Sequence, residues 1–250
     1  MNEPSQKLLV LELDIFKPEN SFKAVQDYYK TTDRKKLVNL AQNTDCDILG
    51  LRFNLESEEE IPSAVKCLNE VLPYIIKPVM IHGTNNDEID KKLIPALIKE
   101  LKTESIIASA NENTYKIIVP EAIKGGHTVV LRSPIDINLC KELNILSIDL
   151  GLSPDRIFID TDIGGLGYGL EYGYSIMEKI KLEGLNGDNY LNMPIISFVC
   201  EESLKTKEAK ENTETAIMIE IASVSAVLAS GADLVVIKHP ETLKTMRELV

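Results

Sequence analysis

Eight short apolar segments recur at nearly even spacing along the 250-residue chain, and they limit its fold more than any other feature. Within each segment the apolar residues follow one another without polar alternation, which is typical of parallel strands covered on both faces. The segments are residues 8–15, 47–53, 77–82, 105–110, 128–132, 157–160, 194–199 and 232–238. The sequence therefore predicts eight buried strands.

Helical patterns lie between these segments. In one of them Ile217, Ile221, Val224 and Leu228 repeat at helical spacing, and Gly231 follows where the helix should end. Eight strands that alternate with helices over this length predict an α/β fold, a single (β/α)₈ TIM barrel formed by residues 1–250. An open doubly wound sheet is the alternative, but such sheets rarely hold so many strands at such even spacing.

The chain is acidic, with 27 Lys and Arg against 39 Asp and Glu and a formal net charge of -12. Because nucleic acids and anionic membranes attract basic surfaces, we expect neither as a partner. The first residues, MNEPSQK, lack the pattern of a signal peptide, and no run approaches the ~18 apolar residues of a membrane helix. We therefore expect a cytoplasmic protein.

The cysteines and histidines give no pattern of metal ligands. The isolated cysteines are Cys46, Cys67, Cys140 and Cys200, and the scattered histidines are His82, His127 and His239. A zinc ribbon or a self-contained iron–sulfur site needs closely spaced cysteine pairs, and the chain has no CxxC. We expect no metal site and no iron–sulfur cluster in this chain.

Polar residues follow the predicted strands, at the end of the barrel where loops of this fold build binding sites. They are Asp14, Arg52, Asn54, His82, Asn111, Arg132, Ser133, Asp160, Asp162, Cys200, Glu201, Lys238 and His239. The sequence therefore predicts a polar, partly acidic mouth.

The end of the sixth strand combines two acids with a glycine-rich segment. Asp160 and Asp162 are two residues apart and point the same way if the strand continues, although Asp162 could equally serve as a turn acid. The following GGLGYG, residues 164–169, matches neither the P-loop nor the dinucleotide-binding pattern. It is either a tight turn or a low loop over which a flat ligand or a partner domain can sit.

Two further candidates remain open between a binding and a structural role. Asn111 can donate to and accept from the edge of a heterocycle, or it can form a turn. Glu201 and Glu202 fit the first turn of a solvated helix, where acids are favoured. No Ser-His-Asp or Cys-His arrangement can be assembled, so we predict no catalytic residue.

Three segments resemble one protein family. They are IASAN at residues 107–111, DINLCKELNILSIDLGLSPDRIFID at 136–160, and LGYGLEYGYSIMEKIKLEGLNGDNYLNMPII at 166–196. They are similar to the small (delta) subunit of the corrinoid iron–sulfur protein, part of the acetyl-CoA synthase or decarbonylase system of anaerobes. The resemblance covers about the second half of the chain.

The resemblance implies a barrel that forms a heterodimer with a larger subunit carrying a corrinoid domain and a four-iron cluster. Cobalt there shuttles a methyl group from a methyl-tetrahydropterin to the acetyl-CoA-forming nickel site, so a pterin methyltransferase and acetyl-CoA synthase are further implied partners. The small subunit's mouth helps to cover the corrinoid. The residues that would contact it are Asn111, Asp160, Thr161, Asp162, Gly164, Gly165, Tyr168, Glu171 and Glu201.

The chain also departs from the family. Where the family reads Asp-Pro-Thr-Thr-Gly, this chain has DTDIG at residues 160–164, and it is shorter than the family pattern. Its sequence lacks the cobalamin-ligating DxHxxG, so we do not expect it to hold cobalt through its own histidine. Three alternatives stay open: a shortened, divergent paralogue, an autonomous methyltetrahydrofolate-binding corrinoid methyltransferase with Asn111 and Asp160 on the pterin edge, and a non-catalytic scaffold subunit.

Overall fold

A computed structural model of the chain describes residues 7–163 and 170–250. Its eight strands are parallel and lie in the order β6-β5-β4-β3-β2-β1-β8-β7 within one sheet. The strands are β1 Leu8–Asp14, β2 Ile48–Arg52, β3 Val79–His82, β4 Ile106–Ala110, β5 Thr128–Arg132, β6 Ile157–Asp160, β7 Ile196–Ser197 and β8 Leu234–Ile237. Each of the eight strands predicted from the sequence is present.

The sheet curls until its two edge strands meet. A single parallel bridge joins Ile159 of β6 to Ile195, and the Ile159 N–H donates to the Pro194 carbonyl at 2.9 Å. This contact completes a nearly closed barrel, which confirms the predicted (β/α)₈ architecture. Strand β7 is shorter than predicted because the chain turns into a helix at Val199.

Helices alternate with the strands around the outside of the barrel. They are α1 Lys23–Tyr29, α2 Arg34–Gln42, α3 Ile61–Val71, α4 Asp87–Ile98, α5 Tyr115–Lys124, α6 Ile137–Asp149, α7 Leu170–Leu185, α8 Val199–Lys205, α9 Lys207–Glu211, α10 Thr213–Ala229 and α11 Pro240–Arg247. The helix predicted from the stripe at residues 217–228 is confirmed as α10, and Gly231 follows it at φ +115°. In the described ranges, no helix has the length and apolar character needed to cross a membrane.

Two apolar layers hold the elements together. One lies between the strands and the surrounding helices, and it contains all four cysteines, whose pKa values burial raises. The other fills the barrel interior with side chains that include Val10, Met80, Val130, Phe158 and Val236. Because side chains alternate along a strand, residues two positions further on face the same interior. This alternation decides which residues reach the mouth.

Candidate functional site

A cleft of about 320 Å³ opens at the carboxyl ends of the strands. Charged side chains dominate its wall, and the ring of Phe198 supplies an apolar surface. The charged residues at the cleft are Arg52, Arg132, Asp160, Asp162, Glu201, Glu202 and Lys205, and uncharged polar neighbours include Thr84, Asn85 and Ser109. The predicted polar, partly acidic mouth is therefore present.

Strand alternation explains why charged groups gather at this end. Five ionisable residues lie two positions beyond an apolar interior position, four of them on the same strand and Lys238 directly after β8. The pairs are Val10 and Glu12, Met80 and His82, Val130 and Arg132, Phe158 and Asp160, and Val236 and Lys238. Strand register then aligns them laterally, with Arg52 beside both Asp14 and His82, and Arg132 beside Asp160.

A buried ion-pair cluster forms the floor beneath the cleft. Glu12 is 1% exposed, with Oε1 2.6 Å from His82 Nδ1 and Oε2 2.6 Å from Lys238 Nζ. The Lys238 ammonium also lies 3.5 Å from Asp14 Oδ1, and Asn54 Nδ2 donates to that same oxygen at 2.9 Å. Charges from opposite ends of the chain thus neutralise one another inside the barrel.

The electrostatics of the floor fix its protonation states. Burial opposes ionisation of Glu12, but Lys238 and the hydrogen bond from His82 outweigh burial and hold the pKa of Glu12 far below its usual range. Burial likewise opposes the Lys238 charge, yet Asp14 and Glu12 raise its pKa. Burial and the Arg52 charge lower the pKa of His82. The neutral His82 ring therefore donates from Nδ1 to an ionised Glu12, and its Nε2 faces the Arg52 guanidinium.

Glu12 was not predicted as a site residue, although the sequence carries a signal for it. Glu12 is an acid inside the apolar strand LLVLELD, and its side chain points to the same face of the sheet as that of Asp14, which was predicted at the mouth. The neighbouring Gly50 makes room for its side chain, because a Cβ at that position would lie 2.9 Å from both Cβ and Cγ of Glu12.

We expect Gly50→Ala to lower the free energy of unfolding by about 1–3 kcal/mol, since an added methyl group forces apart two packed strands. Thermal unfolding followed by circular dichroism measures the change. An unchanged melting temperature would mean that Glu12 moves aside without cost, which contradicts its fixed position between His82 and Lys238.

Glu201 joins the floor to the rim. Its carboxylate lies 3.6 Å from Arg52 Nη1 and 3.1 Å from Lys205 Nζ. Burial alone would raise its pKa, but Arg52 and Lys238 lower the pKa to about 2. The sequence predicted Glu201 near the start of a helix, and it does lie in the first turn of α8. The structure adds that this turn faces the cleft.

The opposite wall carries Asp160, Asp162 and Arg132. The Arg132 guanidinium donates from Nε and Nη2 to Asp162 Oδ2, at 3.2 and 2.6 Å. Asp162 adopts a left-handed backbone conformation, with φ +50°, and its N–H donates to Asp160 Oδ1 at 2.9 Å. Burial and the charge of Asp162 raise the pKa of Asp160 to about 7. The expectation that both acids face the mouth agrees with this placement.

The other predicted contact residues lie away from the cleft lining. Asn111 donates from Nδ2 to Asp87 Oδ1 at 2.7 Å, and its Oδ1 accepts from the N–H of Thr114, so it forms a turn before α5. Thr161 is fully buried and points to the outer layer, as its parity requires. Glu171 is exposed in the first turn of α7. Gly164, Gly165 and Tyr168 lie outside the described residues.

Three residues predicted at the rim are buried behind it instead. Ser133 and Cys200 do not line the cleft, and His239 caps the N-terminus of α11 by accepting the Glu241 N–H at 3.1 Å. The prediction placed them by their position after a strand, but their side chains point to the helical layer. Within the two described ranges, no three His, Cys, Asp or Glu side chains come together in a way that could hold a metal ion.

The chain has the same fold as the dihydropteroate synthases. The dihydropteroate synthase of Yersinia pestis in a sulfonamide drug complex superposes with a TM-score of 0.70 at 11% identity, covering 98% of this chain and 93% of that one. The enzyme of Xanthomonas albilineans in complex with 7,8-dihydropteroate gives 0.65 at 12% identity, covering 98% and 94%. At such low identity the likeness concerns the fold.

The family follows from sequence. The chain belongs to the CO dehydrogenase/acetyl-CoA synthase delta subunit family, whose model matches residues 4–250. The acetyl-CoA decarbonylase/synthase complex subunit delta of Methanocaldococcus jannaschii is 31% identical over 195 residues, which is 74% of this chain and 48% of that protein. The subunit of Methanopyrus kandleri is 29% identical over 200 residues, covering 75% and 49%. The resemblance found in the sequence is confirmed, and the chain spans about half the length of these relatives.

Proposed function

We propose that this chain is a barrel subunit of a cytoplasmic acetyl-CoA decarbonylase/synthase system, and that its mouth covers a corrinoid carried by a larger partner subunit. In this role it supports methyl transfer from a methyl-tetrahydropterin. Membership of the delta subunit family supports a role in that system. The cleft at the carboxyl ends of the strands is where we expect this chain to contact the corrinoid.

The observation that carries the proposal is the mixture of groups at the cleft. Arg132 and Lys205 present hydrogen-bond donors, Glu201 presents acceptors, and the Phe198 ring presents a flat apolar surface. The periphery of a corrinoid carries amide groups, which need both donors and acceptors. A cleft of about 320 Å³ is at the lower end of ligand-pocket volumes, so it suits the edge of a macrocycle rather than the whole ring.

The residues fit a corrinoid that takes its metal ligands from elsewhere. His82 is 1% exposed and its ring nitrogens face Glu12 and Arg52, which leaves neither free for cobalt. His127 and His239 are buried outside the cleft lining. The corrinoid, when bound, supplies the cobalt that carries the methyl group, and this chain's part is to bind one edge and exclude water.

Co-purification with the larger corrinoid and iron–sulfur subunit tests this function. After cofactor supply, we expect a stable heterodimer whose visible absorbance shows bound corrinoid. A heterodimer that forms but lacks corrinoid absorbance would contradict the proposal. A Glu178→Gln chain, which changes an exposed helix residue, is purified in parallel and should bind the partner and the corrinoid as the unmodified chain does.

An autonomous pterin-binding methyltransferase is a second candidate. The fold favours it, because the dihydropteroate synthase of Xanthomonas albilineans has this architecture and is described in complex with 7,8-dihydropteroate. Asp160 could contact the pterin edge here, whereas the side chain of Asn111 already bonds Asp87. Calorimetry of the isolated chain with methyltetrahydrofolate decides: heat of binding that is lost in Asp160→Ala supports this candidate, and a flat titration removes it.

A scaffold role is the third candidate. The barrel would then bind its partner without contacting the cofactor. In that case Asp160→Ala leaves methyl transfer by the assembled complex unchanged, whereas a cofactor contact at the cleft requires the rate or the corrinoid content to fall.

A further inference from the structure

Asp160 differs from the other acids at the cleft because no cation lies within ion-pair distance of it among the described residues, although the nearby Arg132 charge attracts it. Asp162 binds Arg132, while Glu201 and Glu202 share Lys205. In the part of the chain that the structure describes, no lysine or arginine forms an ion pair with Asp160, and its hydrogen bond comes from the N–H of Asp162. Asp160 is nevertheless buried, with 4% of the residue exposed.

Ionising a carboxyl group in this position costs free energy. An unpaired buried charge loses its hydration without compensation. The groups that face Asp160 from neighbouring elements are Arg132 on β5, Asp162 beyond β6, Glu201 on α8 and Cys140 on α6. Asp162 and Glu201 repel a second negative charge, and the Cys140 thiol stays neutral because burial raises its pKa to about 12. Arg132 attracts that charge, but its guanidinium forms its ion pair with Asp162, and burial together with Asp162 outweighs this attraction. Geometry therefore favours a neutral Asp160.

We propose that Asp160 enters the cleft as a neutral carboxylic acid and donates a hydrogen bond to an acceptor atom of the bound ligand, either an amide carbonyl or an unprotonated ring nitrogen. Oδ1 already accepts the Asp162 N–H, which leaves Oδ2 to carry the proton. A pKa of about 7 for Asp160 agrees with this state. The group holds its proton and shares it in a hydrogen bond, so no proton transfer is required.

The inference gives the ligand affinity a definite pH dependence. Below the pKa of Asp160 the donor is present, and as pH rises through about 7 it is replaced by a carboxylate that repels an acceptor. Affinity is therefore full in mildly acidic solution and falls on the alkaline side. The identity of the ligand rests on the proposed function, whereas the protonation state of Asp160 in the free chain does not.

The first test uses the full chain without ligand. Infrared difference spectroscopy or NMR of a chain labelled at aspartate should show an aspartate carboxyl group that titrates near neutral pH, disappears in Asp160→Asn and persists in the control Glu178→Gln. The aspartate label separates this signal from that of the buried Glu220, whose pKa burial also raises. Asp162→Asn should move that titration to lower pH, because a repelling charge is removed. If every labelled aspartate is ionised by about pH 5, as unperturbed aspartates are, the inference is wrong.

The second test uses the corrinoid-loaded complex. The corrinoid affinity should weaken by about tenfold between pH 6 and pH 8 in the unmodified complex, as expected if the ligand binds the protonated form, and should stay flat in Asp160→Asn. An equal pH dependence in both would overturn the donor role. Loss of corrinoid binding at every pH would count against the proposed function, whereas the ligand-free titration decides the state of Asp160 by itself.

Discussion

Replacing Lys238 with methionine is expected to lower the free energy of unfolding by about 3–5 kcal/mol, the usual cost of leaving a buried partner charge unpaired. Lys238 is 3% exposed, and it is 2.6 Å from Glu12 and 3.5 Å from Asp14. Methionine preserves the length and the packing of the side chain but removes the charge, so Glu12 would stay ionised without its cation or take up a proton. Urea denaturation at pH 7 measures the loss.

The double variant Glu12→Gln with Lys238→Met is the matched control for this prediction. Because it removes both charges of the pair, it should recover part of the stability lost in Lys238→Met. Together with the single variant Glu12→Gln it completes a double-mutant cycle, which measures the coupling between the two residues. A Lys238→Met chain within about 1 kcal/mol of the unmodified chain would show that the buried pair contributes little, which is the range typical of exposed pairs.

Replacing Asp160 with asparagine is expected to stabilise the chain, and more at pH 8 than at pH 5. A carboxyl group whose pKa is raised in the folded state binds its proton more tightly there than in the unfolded chain. Its contribution to stability is therefore full at low pH and is lost as pH rises from the usual aspartate range towards about 7. Asparagine keeps an oxygen for the Asp162 N–H and has no charge to bury, so the gain at pH 8 is on the order of 2–4 kcal/mol.

Denaturant unfolding of both chains at pH 5 and pH 8 checks the size and the sign of this effect. Glu178→Gln should show no comparable dependence on pH, because it removes an exposed carboxylate. Equal destabilisation by Asp160→Asn at both pH values would mean that the carboxylate is ionised and stabilising, contrary to its burial beside the acids Asp162 and Glu201. The gain in stability should accompany weaker ligand binding, as is common for residues kept for function.

The barrel was predictable because its signal is distributed over the whole chain. Eight apolar segments without polar alternation, joined by helical stripes, leave few arrangements that cover both faces of each strand. Strand ends could be located to within a few residues. The same alternation rule that places Asp160 and Asp162 at the mouth puts Thr161 in the outer layer, so that residue could have been set aside from the sequence alone.

Other parts of the site depended on contacts that sequence spacing does not reveal. Glu12 belongs to the site because it forms an ion pair with Lys238, which lies near the other end of the chain. A single acid inside an apolar strand gives only a weak local signal. The turn role of Asn111 is decided by Asp87, which reaches it from the start of a different helix. Local sequence patterns indicated that the strand ends are polar. Which charged residues pair with each other could be seen only in the closed barrel, because the partners are far apart in the sequence.

The most direct test of the central claim is the rate at which corrinoid leaves the assembled complex. We expect the double variant Arg132→Met with Asp162→Asn, which leaves the net charge unchanged, to release corrinoid about tenfold faster than the unmodified complex, a loss of about 1.4 kcal/mol. Absorbance after rapid gel filtration gives the rate, with Glu178→Gln as the control. If the double variant folds, binds the partner and releases corrinoid at the unmodified rate, the cleft does not contact the cofactor and the account is wrong.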